Sequence, residues 1–262
     1  MKVKRTAFLI VSLLVGLAPA SGVGEAISVR HAEGLVHGFL VLRSVDGSLL
    51  AHGDLIQTSR GSRVSSRLVF HFKDGSVQDE TAVFSQSGRF RLLTDHLIQR
   101  GPSFPHPLEV SIDAVAGRVT VKHREQDGAE KVIDEKMALP EDLANGLVLT
   151  LVKNIAPDAA ATVSMVVATP KPRLVKLVLA RAGNDRFAVG GGPYKVTRFT
   201  AHVDIGGFTG LLARLLGRQP PDASVWILEG EAPGFVRSEN VFFQDGPVWR
   251  IELASPVPSR KP

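Results

Sequence analysis

The sequence has no cysteine among its 262 residues. That excludes a disulfide framework, a thiolate metal site and a cysteine nucleophile, and it leaves a packed core as the source of stability. Aromatic residues are sparse, at 6% with one tyrosine and two tryptophans. A nucleic-acid surface, which needs rings to stack bases and a dense basic stripe, has little to be built from. The formal charge of +5 thins further if the first 26 residues are removed: without Lys2, Lys4, Arg5 and Glu25 the chain keeps 28 basic and 25 acidic side chains. The arginines at 60, 63 and 67 in TSRGSRVSSR have no aromatic residue among them and read as a solvated strand edge. Nucleic acid is therefore not an expected partner.

Long apolar runs are also missing, since a membrane-spanning helix needs about 20 apolar residues. The run at residues 7–18, relieved only by Ser12 and Gly16, follows three positive residues and ends in small residues at Ala20 or Ala26. This is the pattern of a cleaved secretory signal over residues 1–26, with an uncleaved anchor as the alternative. With no cysteine after the run there is no site for a lipid anchor, so the expected product is a soluble periplasmic or secreted protein.

What the sequence does have is alternation. Leu68, Phe70 and Phe72 share one face against Arg67 and His71; Leu108, Val110 and Ile112 oppose Glu109, Ser111 and Asp113; Val119 and Val121 oppose Arg118, Thr120 and Lys122. Period two of this kind marks half-buried antiparallel strands. Asp-Gly occurs at 46–47, 74–75, 127–128 and 245–246, each time between strand-like segments. Both residues tolerate the positive φ of a tight reversal, so each pair predicts a hairpin. Two segments break the pattern. Residues 140–154 carry acids at the start, Leu143, Leu147 and Leu151 four apart, and Lys153 near the end, which predicts a helix. Residues 207–217 are short and almost wholly apolar, and are followed by Pro220 and Pro221. The expected fold is mainly β: a curved antiparallel sheet, a half-barrel or open barrel meander, with two short helices packed on it. Two packed sheets are the alternative. One β-rich domain covers 27–254, as a β block at 27–138, the helix and a β block at 160–254, before a flexible tail at 255–262.

No catalytic motif emerges. Gly101-Pro102-Ser103-Phe104-Pro105 lacks the last glycine of a nucleophile elbow, and Pro105 and Pro107 forbid the helix that should follow. The eight histidines fall at no metal-ligand spacing, although His71 and His123 could meet on neighbouring strands. The carboxylate pairs Asp79-Glu80, Asp134-Glu135 and Glu141-Asp142 have easier roles as turn, cap or strand surface. Gly190-Gly191-Gly192-Pro193 lacks the Lys-Ser/Thr of a phosphate loop. No catalytic residue, metal ligand or cofactor is predicted.

Binding has more to rest on. Phe208, Leu211, Leu212 and Leu215, with Leu216, leave the 207–217 segment little polar face, so it is buried on several sides, touches a lipid interface or closes an apolar cavity. Trp226, Phe235 and Trp249 are suited to the walls of such a cavity. The stretch QRGPSFPHP, residues 99–107, reads as a stiff corner between two strands that could hold Phe104 and His106 at the mouth.

LGRQPPDASVWILEGEAPGFVRSENVFFQDGPVWRIELASP at 216–256, together with RGPSFPHP, resembles a family of uncharacterised exported bacterial β-rich proteins, a domain of unknown function. At the level of fold the pattern is similar to the periplasmic half-barrel carriers of the lipoprotein-localisation type. That resemblance implies a curved sheet sheltering acyl chains around its helices. The leading expectation is thus an exported carrier of an apolar ligand, a lipid or acyl chain, with peripheral membrane contact allowed. An envelope structural or protein-interaction module is the second, and a hydrolase without a recognisable motif the third.

Overall fold

Fourteen strands join in one antiparallel sheet in a computed structural model of the protein, which describes residues 25–254 except 126, 157–158, 169, 190–191 and 205–219. The signal segment, the 207–217 segment and the 255–262 tail lie outside the described residues. The first run is β1 (Val36–Ser44), β2 (Leu49–Arg60), β3 (Arg63–Phe72), β4 (Val77–Ser87), β5 (Arg89–Arg100), β6 (Leu108–Asp113), β7 (Arg118–Arg124) and β8 (Glu130–Lys136). Helix α1 (Val148–Asn154) follows, and then β9 (Ala161–Ala168), β10 (Pro172–Val189), β11 (Gly192–Asp204), β12 (Ala223–Leu228), β13 (Gly234–Val241) and β14 (Val248–Leu253). Every strand pairs with its sequence neighbour except β8 with β9. The two meanders are joined through β1 and β14, giving the order β8-β7-β6-β5-β4-β3-β2-β1-β14-β13-β12-β11-β10-β9.

The four Asp-Gly pairs lie at the β1–β2, β3–β4, β7–β8 and β13–β14 reversals, as their sequence predicts. Gly47, Gly75 and Gly128 adopt positive φ of 96°, 85° and 87°. In each of these three turns the aspartate also accepts from the backbone two residues on, at 2.9–3.0 Å: Ser48 to Asp46, Ser76 to Asp74 and Ala129 to Asp127. In the fourth, Asp245 itself takes the positive φ. Such local bonds fix the hairpin without help from the rest of the fold.

The curvature follows from the core. Val119 and Val121 of β7 and Leu177 and Leu179 of β10 lie near opposite ends of the strand order, yet share one apolar cluster with Leu147, Leu151 and Val152 around α1. The sheet therefore curls round the helix. A second cluster, built from Leu40, Leu42, Phe70, Phe72, Phe104 and Trp249, is packed largely ring against ring.

One expectation needs correcting. The predicted helix at 140–154 is helical only from Val148, and it is the one α-helix among the described residues. Upstream, two turns flank a single β-bridge from Leu143 to Ser164 of the edge strand β9. Ala144 donates to Ser164 O, Ser164 donates to Asp142 O, and the Asn145 side chain bonds both the N–H and the C=O of Val166. The backbone groups of an edge strand must be satisfied, and this segment satisfies those of β9 better than a first helical turn would. Gly146 then turns the chain at φ 65° into α1.

Candidate functional site

The concave face is not uniform. Between the cluster around α1 and the aromatic cluster lies a band where inward-facing side chains keep part of their surface. Val36 is 37% exposed, and Leu55, Leu68 and Leu97 are half-buried, each packed on one cluster only. This band marks the lumen side of the curled sheet.

Two carboxylates stand in this band. In the β3–β4–β5 ladder, Glu80 lies between Leu68 and Leu97, while Ala82 opposes Asp95. Glu80 and Asp95 are thus diagonal neighbours on the inward face, close enough for their side chains to interact. Gly146 sits above them. A Cβ there would lie 3.0 Å from Asp95 Oδ1, 3.7 Å from Glu80 Oε1 and only 2.6 Å from the Ala82 Cβ. The Gly146 turn is therefore packed closely over the pair, with no room for a methyl group between it and Ala82.

The electrostatics are those of a desolvated pair. Burial raises Glu80 to about 7. It also raises Asp95 well above the usual carboxylate range, with further repulsion from Glu80 and a small opposing effect of the His96 backbone N–H. Asp95 is 3% exposed, and its Oδ1 has no hydrogen-bond partner among the described residues. Farther along this face Gln99 Nε2 donates to Gln78 Oε1 at 3.0 Å and to Phe242 O at 2.8 Å, whereas the buried Nε2 of His123 on the same cross-strand row has no hydrogen-bond partner among the described residues.

This has a measurable consequence. Both acids hold their protons more tightly folded than unfolded, so between about pH 4 and 7 the folded chain binds more protons and its stability falls as pH rises. We expect a loss of about 1–3 kcal/mol across that window, read by urea unfolding at a series of pH values. Glu80→Gln should flatten the slope. The acids that are lowered, Asp46, Asp74, Glu109 and Asp134, give stability that is lost only below the window. An unchanged slope in Glu80→Gln would show that Glu80 ionises freely.

The sequence-predicted site residues are distributed as follows. Phe208, Leu211, Leu212 and Leu215 lie outside the described residues. Phe104 (2% exposed) and Trp249 (6%) meet in the aromatic cluster, their ring centroids 6.0 Å apart. Ser103 anchors the corner that carries Phe104: its N–H donates to Ser76 Oγ at 2.8 Å and its hydroxyl to Asp74 Oδ2 at 2.7 Å. Phe235 packs against both clusters. His106 is exposed on a shallow groove with Pro105, Phe243, Gln244 and Asp245. Trp226 is on the other face of the sheet, between inward Val225 and Ile227, where Phe187 and the Arg237 guanidinium cover it and its indole N–H donates to Asp185 Oδ2 at 2.7 Å.

His71 and His123 are not neighbours, since β3 and β7 are separated by three strands and the two side chains point to opposite faces. The histidine–carboxylate pairs His37–Asp54 (3.6 Å), His96–Glu109 (3.2 Å) and His202–Asp222 (2.6 Å) all stand on the outward face, away from the lumen. Among the described residues no group of three or more metal-ligating side chains comes together.

The fold is an open, curled β-sheet whose concave face carries a band of half-buried apolar side chains with two carboxylates among them. No protein-family model matches the chain, and no curated protein matches it. Among solved structures it is similar to the crystal structure of a beta-barrel-like protein of domain of unknown function DUF1849 from Brucella abortus, at 12% identity and a TM-score of 0.46, covering 86% of this chain and 98% of that one. At that distance the likeness carries no argument about ligand or activity.

Proposed function

We propose that the protein is an exported binding or carrier protein that shelters an apolar or amphiphilic ligand, such as a lipid or acyl chain, in the lumen of its curled sheet. The observation that carries this reading is the band of half-exposed, inward-facing Val36, Leu55, Leu68 and Leu97 between two packed clusters. A surface of this kind is unfavourable in water and is matched by an apolar guest. Export to the periplasm is part of the proposal and rests on residues 1–26.

Native mass spectrometry of protein purified from its own envelope should detect a co-purifying lipid, and a hydrophobic dye should bind saturably. Gly38 supplies a control. It faces the lumen, and a Cβ there would touch only the Leu55 Cβ at 3.8 Å, so Gly38→Leu should fill the space without disturbing the sheet. We expect it to weaken dye binding about tenfold or more while the melting temperature stays close to that of the parent. Absence of both lipid and a saturable site would end the carrier reading.

A further inference from the structure

We propose that the protein forms a two-fold dimer through β8, the uncovered edge of its sheet, on which a second copy of the chain pairs antiparallel about Ile133. The proposal does not depend on the carrier reading.

The two edges of the open sheet, β8 and β9, differ. Along β9, residues 142–145 hydrogen-bond Ser164 and Val166. Along β8 the chain supplies no such cover. Glu125 N–H donates to Ala129 O at one end of the β7–β8 ladder, and Met137 N–H donates to Gly117 O at the other. In the register that runs from Arg118↔Lys136 to Arg124↔Glu130, this alternation commits the backbone of Lys131, Ile133 and Glu135 to β7. The N–H and C=O groups of Glu130, Val132, Asp134 and Lys136 then point away from the sheet. Those outward groups have no hydrogen-bond partner within the chain among the described residues. All of β8 except Ile133 and Glu135 is exposed, and Val132 keeps 54% of its surface. A row of unpaired backbone groups is a template for another strand.

The side chains select which strand. β8 reads EKVIDEK, and its charges are complementary to their own reverse. Antiparallel pairing centred on Ile133 sets Glu130 against Lys136 of the second copy, Lys131 against its Glu135, and Ile133 against its Ile133. The same register brings Glu130 opposite Lys136 and Val132 opposite Asp134, so the outward backbone groups meet one another. Asp134, the one charge left facing an apolar residue, is already paired with the Arg118 guanidinium. Centring the pairing on Val132 would set Glu130 against Asp134, and centring it on Asp134 would set two aspartates together. Opposite charges directly across a ladder support it and like charges weaken it. A pattern that discourages unrelated strands thus admits a copy of itself in one register. Lys131 and Glu135 do have partners within the chain, Glu125 at 2.7 Å and Lys171 at 3.5 Å. The Lys131 and Lys171 side chains keep 57% and 65% of their surface, so these are surface pairs that exchange at little cost.

Sedimentation equilibrium of the purified protein should show a monomer–dimer exchange with a Kd of about 10–100 µM, in keeping with a small interface. Glu130→Lys/Glu135→Lys makes the edge basic apart from Asp134, and Lys131→Glu/Lys136→Glu makes it wholly acidic. Each variant alone should self-associate at least about tenfold more weakly than the parent. An equimolar mixture of the two should recover the dimer, because every reversed pair is then opposite in charge. Val132→Pro removes an N–H that β7 does not use, so it should fold with a melting temperature near that of the parent and stay monomeric. A parent that remains monomeric at about 1 mM overturns the proposal and leaves the edge to a strand of some other protein. A dimer that persists in both charge variants places the interface elsewhere, and a mixture that stays monomeric overturns the Ile133 register. Should a charge variant fail to fold, undiminished association of Val132→Pro is equally decisive against β8.

Discussion

Replacing Lys153 with methionine should lower the unfolding free energy by about 3 kcal/mol. Glu33 lies just before β1 and is only 8% exposed. Its Oε1 is ion-paired with the Lys153 ammonium of α1, and its Oε2 accepts from Gln57 Nε2 of β2 at 2.9 Å. Its backbone is held by the Gln86 side chain of β4, which accepts from the Glu33 N–H at 2.7 Å and donates to its carbonyl at 3.0 Å. Removing the cation leaves a buried carboxylate with only an amide for company, and that penalty, rather than the net value of the pair, is what the variant reads. The Lys153 side chain retains 18% of its surface, so water partly compensates and the low end of the usual range applies. The diagnostic control is Glu33→Gln/Lys153→Met, which removes both charges and should recover part of the loss. If the double variant is no more stable than the single, the pair is not coupled in the folded state.

Gly53→Val should be more damaging still, by about 3 kcal/mol or more, with a fall in soluble yield. Gly53 stands on the inward face of β2 opposite Phe70, and the ring lies across it: a Cβ would be 2.4 Å from Phe70 Cε1 and 3.0 Å from the Val69 carbonyl. Phe70 is fully buried and belongs to the aromatic cluster. The clash therefore cannot be relieved by turning the ring into solvent, and the neighbouring rings of Phe242 and Trp249 would have to shift as well. Phe70→Leu in the Gly53→Val background should recover stability by vacating the space. Failure of that rescue would mean that the cost lies in the β2 backbone instead.

Much of the fold was legible because strands and hairpins are local. The alternation at 67–72 and 118–122 needed only neighbouring residues, and the Asp-Gly turns carry their own hydrogen bonds. The lumen carboxylates were not legible for a specific reason. Asp79-Glu80 looks like a solvated pair, and Asp79 is one, bound to Arg67 on the outer face; Glu80 is turned inward by the same parity that buries Phe84. Asp95 is harder. The β4–β5 register shifts between Val83 and Phe84, so inward positions on β5 change from Phe90 and Leu92 to Asp95 and Leu97. A bulge resets which side chains face the core, and nothing in the local pattern of β5 announces it. The start of the 140–154 helix was misread because Glu141 and Asp142 look like first-turn acids, whereas Asp142 is buried with its carbonyl bonded to Ser164. Trp226 shows the converse error, since its burial is supplied by Phe187 and Arg237 on the outside of the sheet.

The strand order has a consequence for how the chain is made. β1 and β14 are adjacent at the middle of the sheet, so the seam between the two meanders is closed by the first and last of the described strands in chain order. Until β14 arrives, β1 presents a bare hydrogen-bonding edge, and the half made first can only wait or pair wrongly. If the chain is exported unfolded, as proposed above, the sheet closes only once β14 is across. Shaving that segment away should open the sheet at its centre rather than merely shorten its rim.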